Sequence, residues 1–223
     1  MANPKKNKVP SDWLFRQRAF PQGEINYTAY KEAWKQARQD KRIAESQMKD
    51  AHWNFVGPLN LGGRVSAIAM HPSDMDLIYA GAASGGIFKS TDGGGSWIPV
   101  FEDAMSLSIG DVEIALSDPE ILYAGTGESN AGGGSLAYDG FGIYRSDNGG
   151  EDWVYLGLEE SGSIGRVVVH PQDPDIVYVA AMGRLFANNP QRGVFRSTDG
   201  GNSWEKVLFL NDSVGAVDLI MDP

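Results

Sequence analysis

Glu128 and Asp139 are the two carboxylates of this 223-residue sequence whose surroundings invite a chemical role. They lie in a polar, glycine-rich stretch from Thr126 to Gly140. A carboxylate pair set across a sugar linkage is the machinery of glycoside hydrolysis, one acid protonating the leaving oxygen while the other serves as base or nucleophile. A second polar stretch, Met182 to Arg192, carries Arg184, Asn188, Asn189 and Arg192. With Asn130 and Tyr138, these residues supply donors, acceptors and an aromatic face suited to a glycan or an extended peptide. The expected ligand-binding set is therefore Glu128, Asn130, Tyr138, Asp139, Arg184, Asn188, Asn189 and Arg192. No residue is assigned as catalytic beyond the candidates Glu128 and Asp139.

Other chemistries find little support. There are no cysteines, which excludes disulfides and thiolate metal sites. His52, His71 and His170 are isolated, and the last two precede Pro72 and Pro171, so they read as turn residues, with no metal expected. Gly132, Gly133 and Gly134 are followed by no Lys-Ser/Thr and open no helix, so they do not read as a phosphate loop. No Ser-His-Asp arrangement stands out, and no cofactor is expected.

The elements that must position the two polar stretches are set by a repeat. Three octets fit Ser-x-Asp-x-Gly-x-x-Trp: Ser90, Asp92, Gly94 and Trp97; Ser146, Asn148, Gly150 and Trp153, with Asn in place of Asp; and Ser197, Asp199, Gly201 and Trp204. Each is entered by a short aromatic run, residues 86–89, 142–145 and 193–196, and preceded by a second apolar run, residues 77–81, 121–125 and 176–180. Pro72, Pro119, Pro171 and Pro223 punctuate the sequence at intervals of 47, 52 and 52 residues. That is the period of a four-stranded propeller blade. The short Asp or Asn can accept bonds from nearby backbone N–H groups, the glycines permit a tight turn, and the Trp needs burial for its ring and a partner for its indole N–H. These residues are expected to staple the fold and not to catalyse.

In these octets the sequence resembles the Asp-box, or BNR, repeat propellers, which include sialidases, family 74 glycoside hydrolases and sortilin-type receptor domains. The line from His52 to Pro58 and through Gly62-Gly63-Arg64 is most similar to large secreted bacterial proteins described as sortilin-like or glycosyl hydrolase. The resemblance implies an all-β fold of Asp-box blades. It also implies, for family 74 activity, an Asp at the spot held here by Ala83, a departure that counts against that activity. The Arg-Ile-Pro motif of sialidases is absent, and Arg64, Arg166, Arg184 and Arg192 are scattered.

The expected organisation is a basic extended segment and helix over 1–51, then a partial propeller over 52–223. Its blades span about 61–103, 108–160 and 163–210, with the first strand of a fourth at 213–223. Trp53 to Val56 stands in the register of an outermost blade strand. The helix is expected over 28–49, with Thr28 as cap and Tyr30, Trp34 and Ala37 as its stripe, lying on the acidic flank of the propeller. The net charge of -10 divides unevenly: residues 1–50 hold eleven basic against six acidic residues, the remainder eight against twenty-three. An acidic body repels phosphate backbones, so no nucleic-acid partner is expected. No apolar run approaches the roughly 20 residues that span a bilayer, so no membrane insertion is expected.

The function these features imply is a non-catalytic binding propeller within a larger exported protein, extracellular or at the cell surface after removal of a targeting segment, with a cytoplasmic site left open. The alternatives are a glycoside hydrolase with some acids outside this chain and a structural assembly module. The partners expected are protein, peptide or glycan, together with further blades of a longer protein, or self-association, to cover open sheet edges.

Overall fold

A computed structural model describes residues 12–47, 62–129 and 138–222. The chain divides into two compact units, one over Asp12–Gly63 and one holding Arg64 onward.

The first unit is helical. The segment expected to be extended ahead of the long helix contains a helix of its own, α1, Trp13–Ala19. Leu, Arg, Gln and Ala are strong helix formers, and the Arg16 guanidinium reaches Asp12 one turn back at 2.7 Å. The second helix, α2, runs over Tyr27–Gln47. Its cap is Asn26 and not Thr28: the Ala29 N–H donates to Asn26 Oδ1 at 2.9 Å, and Thr28 lies inside the first turn. The half-buried side runs through Tyr27, Lys31, Trp34 and Arg38, while Tyr30 and Ala37 of the expected stripe are exposed. Arg38 stacks over the Trp34 ring, 5.1 Å from its centroid. No helix among the described residues is long and apolar enough to cross a membrane.

The second unit consists of three four-stranded antiparallel meanders, the construction of propeller blades. Blade one holds β1 (Val65–Met70), β2 (Ile78–Ala82), β3 (Gly86–Ser90) and β4 (Ile98–Pro99). Blade two holds β5 (Ile109–Ile114), β6 (Leu122–Thr126), β7 (Ile143–Ser146) and β8 (Val154–Tyr155). Blade three holds β9 (Ile164–His170), β10 (Asp173–Ala181), β11 (Gly193–Ser197) and β12 (Glu205–Leu208). Equivalent residues pair in equivalent registers: Tyr79 stands opposite Lys89, Tyr123 opposite Arg145, and Tyr178 opposite Arg196. The central strands are apolar because both of their faces meet something, whereas the outermost strands β4, β8 and β12 are exposed.

The core lies between the blades. One cluster joins Tyr79, Ile87 and Phe101 of blade one to Ile109, Val112 and Leu122 of blade two, and a second joins Tyr123, Ile143 and Leu158 to Ile164, Val167 and Val177. The inner strands approach so closely that a Cβ on Gly110 would lie 1.8 Å from the Ile164 carbonyl oxygen, so only glycine fits there. On blade one the residues equivalent to Ile109, Val112 and Ile114 are Val65, Ile68 and Met70, and these stay exposed.

The expected first strand of a fourth blade is not a strand. Beyond an isolated bridge between Asn211 and Val214, residues 215–222 form no ladder. Among the described residues its backbone meets the inner end of blade three, where the Ala216 N–H donates to the Ala181 carbonyl at 3.0 Å, and a single such bond makes no ladder. The strand expected over Trp53 to Val56 falls outside the described residues.

Candidate functional site

The octets sit on one face and the polar loops on the other. In each octet the Ser Oγ accepts the N–H of the residue four positions on: Gly94 at 2.8 Å, Gly150 at 2.9 Å and Gly201 at 2.8 Å. The same hydroxyl donates to Asp92, Asn148 or Asp199 at 2.8–2.9 Å. Those oxygens in turn accept the N–H of Ser96, Asp152 and Ser203 at 2.8–2.9 Å. The bonds from the Ser96 hydroxyl and N–H hold the Asp92 carboxyl down to about 2, and those from Ser203 lower Asp199 likewise. The turn needs two successive residues in left-handed backbone, for example Gly93 at φ 67° and Gly94 at φ 91°. Trp153 and Trp204 cross to the preceding blade, donating to the carbonyls of Val100 and Leu156 at 2.8 Å each. Trp97 donates within its own turn to Gly94 at 3.1 Å.

A second set of bonds reaches forward. Tyr79 Oη and Lys89 Nζ both donate to the Gly149 carbonyl at 2.8 Å, and Arg145 donates to the Gly200 carbonyl at 3.3 Å, to Asp175 at 2.7 Å and to Tyr123 at 2.8 Å. Burial pushes the Tyr79 and Tyr123 hydroxyls up to about 12, so both remain donors. His71 and His170 act inside their turns, their Nδ1 atoms accepting the N–H groups of Asp74 at 3.0 Å and Gln172 at 3.2 Å. Among the described residues no group of His, Cys, Asp and Glu is arranged to hold a metal ion.

On the opposite face, equivalent bonds join Arg64 to Ala83, Ser108 to Gly127 and Ser163 to Met182. Glu128 follows directly and is buried, at 3% exposure. Both of its carboxylate oxygens accept from Arg64, Oε1 from Nε at 2.7 Å and Oε2 from a terminal nitrogen, while its own N–H donates to Ser108 Oγ at 3.1 Å. A carboxylate held this way is not placed to donate a proton to a glycosidic oxygen. Asp139 is half-buried, with its carbonyl accepting from Ser106 Oγ at 3.1 Å, and Tyr138 is exposed. Asn130 lies outside the described residues.

The blade-three loop divides the residues predicted there. Asn189 is buried and organises the loop, a correction to its expected place on the ligand side, whereas Arg192, also buried, organises the loop and lines the pocket. The Asn189 side chain accepts the Arg184 N–H at 3.0 Å and donates to the Glu160 carbonyl at 2.6 Å. Arg192 donates to the carbonyls of Met182 at 2.6 Å, Ala187 at 2.7 Å and Arg184. Burial lowers its pKa, and its fork of donors suits a loop whose carbonyls converge. Arg184, Phe186, Asn188 and Arg192, with Ser213, line an open pocket of about 450 Å³ whose wall contains no carboxylate among the described residues. The structure thus brings Arg184, Asn188 and Arg192 together around the pocket and keeps Asn189 beneath them.

Two carboxylates that sequence reasoning passed over lie on the inner strand β5. Asp111 is buried, accepts the Val167 N–H at 2.7 Å and stands 3.8 Å from Arg166, and burial pushes it up to about 6. Burial, with the nearby Asp111 charge, pushes Glu113 up to about 7. Arg166 also binds Asp218 at 2.9 Å, which lowers that carboxyl. No sequence signal marked them: Asp111 and Glu113 alternate with Val112 and Ile114 as in a strand with one polar face, and only the packing of blade three against that face buries them.

No family model matches the chain. A xyloglucanase from a Paenibacillus species is 30% identical over 159 residues, covering 66% of this chain and 14% of that protein. A probable oligoxyloglucan-reducing end-specific xyloglucanase from Neosartorya fischeri is 24% identical over 178 residues, covering 73% of this chain and 20% of that protein. Among solved structures, that of an ancestral GH74 enzyme superposes with a TM-score of 0.52 at 26% identity, covering 70% of this chain and 20% of its own. The chain therefore spans about one seventh to one fifth of the length of these relatives.

Proposed function

We propose that residues 64–222 form part of a non-catalytic propeller of the Asp-box type, one stretch of a larger exported protein, which holds a glycan chain on its long-loop face. The observation that carries this reading is the pocket beside the blade-three loop, which offers Phe186, Arg184 and Asn188 and, among the described residues, no carboxylate. An aromatic surface with a few convergent polar groups is the make-up of a binding site, and hydrolysis would require a pair of acids across the bond. The xyloglucanase relatives favour a glycan over a peptide. Exposed Val65, Ile68 and Met70 support further blades of the longer protein as the second class of partner.

Titration of the purified chain with xyloglucan oligosaccharides, followed by calorimetry, tests the proposal. Binding without release of reducing ends is expected, weakened by Phe186→Ala and Asn188→Ala. No heat with xyloglucan or unsubstituted β-glucan would remove it.

A second reading, a glycoside hydrolase completed by residues outside this chain, is favoured by the 30% identity to a xyloglucanase. It predicts release of reducing ends by the longer protein, lost on Asp139→Asn.

A further inference from the structure

The Arg64 and Glu128 side chains differ in a way that an inter-blade strut does not require. The Glu128 side chain is 4% exposed and that of Arg64 is 51% exposed. A guanidinium has five N–H donors in one plane. Glu128 takes the Nε–H and one terminal N–H, and no other partner of Arg64 occurs among the described residues, which leaves three donors directed by the buried carboxylate. Glu128 is itself fixed. Its N–H is held by Ser108 Oγ at 3.1 Å, and the preceding Gly127 donates to the Ser108 carbonyl at 2.7 Å. The pair stands at the start of the blade-two long loop, on the same face as the blade-three loop.

We propose that this pair is the point at which the long-loop face recognises a neutral sugar, with Arg64 in contact with adjacent hydroxyl groups and Glu128 as the positioning residue. The inference rests on the glycan-binding reading above and adds the residues that select a neutral over an anionic glycan. A lone arginine on a protein of net charge -10 would draw anionic groups, whereas an arginine already neutralised by a buried carboxylate has no net charge to offer a uronate. What remains is a rigid planar set of donors, which matches two neighbouring hydroxyl oxygens and suits a neutral polysaccharide.

The full chain is titrated with a xyloglucan oligosaccharide and, separately, with an oligogalacturonate. Wild type is expected to bind the neutral probe. Arg64→Ala and Glu128→Gln should each weaken that binding about tenfold. The double variant should be no weaker than Arg64→Ala alone, since Glu128 acts through Arg64. Glu128→Gln should strengthen binding of the oligogalacturonate, because its Arg64 is no longer neutralised, an effect a merely structural role does not produce. Arg64→Met combined with Glu128→Gln, which leaves no unpaired buried charge, serves where Arg64→Ala fails to fold. Wild-type affinity for xyloglucan in the Arg64 variants would overturn this inference and leave the glycan-binding reading standing. Absence of xyloglucan binding by wild type would remove both.

Discussion

Replacing each octet tryptophan by phenylalanine separates the anchoring of a turn from the joining of blades. Trp153→Phe and Trp204→Phe keep an aromatic ring in the inter-blade core but delete the N–H that reaches Val100 or Leu156 at 2.8 Å. A buried carbonyl that loses its donor costs about 1–3 kcal/mol, and the smaller ring adds a fraction of that. Each variant should therefore lose about 2 kcal/mol. Trp97 is 42% exposed and its N–H stays in its own turn at 3.1 Å, so Trp97→Phe should cost less than about 1 kcal/mol. Guanidinium unfolding followed by far-ultraviolet circular dichroism measures all three without depending on the deleted fluorophore. Equal losses at the three positions would refute the reasoning, because the octet would then stabilise its own hairpin and contribute nothing between blades.

Three further outcomes follow from the same contacts. The raised carboxyls of Asp111 and Glu113 mean that the folded chain holds more protons than the unfolded one between about pH 4 and 7, so stability present in acid is lost as pH rises through that window. Asp111→Asn, whose amide oxygen still accepts the Val167 N–H, should flatten part of this decline and gain up to about 3 kcal/mol at pH 7.5; an unchanged slope in denaturation series from pH 4.5 to 7.5 would count against it. Below that window the trend reverses, since the lowered carboxyls of Asp92 and Asp199 lose their contribution as pH falls toward 2. Asp199→Asn should melt near wild type and Asp199→Ala clearly lower, because asparagine already fills this role at Asn148, accepting from Ser146 and Asp152; equal melting of both variants would show that the acceptor is dispensable. Gly110→Ala drives a methyl to 1.8 Å from the Ile164 oxygen and should cost about 3 kcal/mol or more, and a soluble variant with wild-type stability would disprove the close approach of the inner strands.

Local chemistry explains which parts were legible. The Asn148 substitution did not hide the second octet, because the turn asks only for a short oxygen acceptor and two left-handed residues, and both are written within eight positions. Helix α1 escaped because seven residues display too few turns for a period to emerge, and the Asn26 cap escaped because Thr28 is also a good capping type. In the loops, composition marked a polar surface but did not say which residues turn inward. Asn189 reads as a ligand group and folds under the loop, where an unpaired carbonyl requires a donor, and Arg192 both lines the pocket and donates to loop carbonyls.

What the sequence determined by itself is everything settled within about one turn or one strand: the three octets, the paired glycines, the aromatic strands entering them, and hence three equivalent four-stranded sheets. Only the tertiary structure decided which residues meet across blades. Arg64 and Glu128 lie 64 positions apart, and Asp111 meets the Val167 N–H across 56. Such pairings depend on the angle and spacing at which whole sheets pack, a property of the assembled core that no short stretch of residues carries.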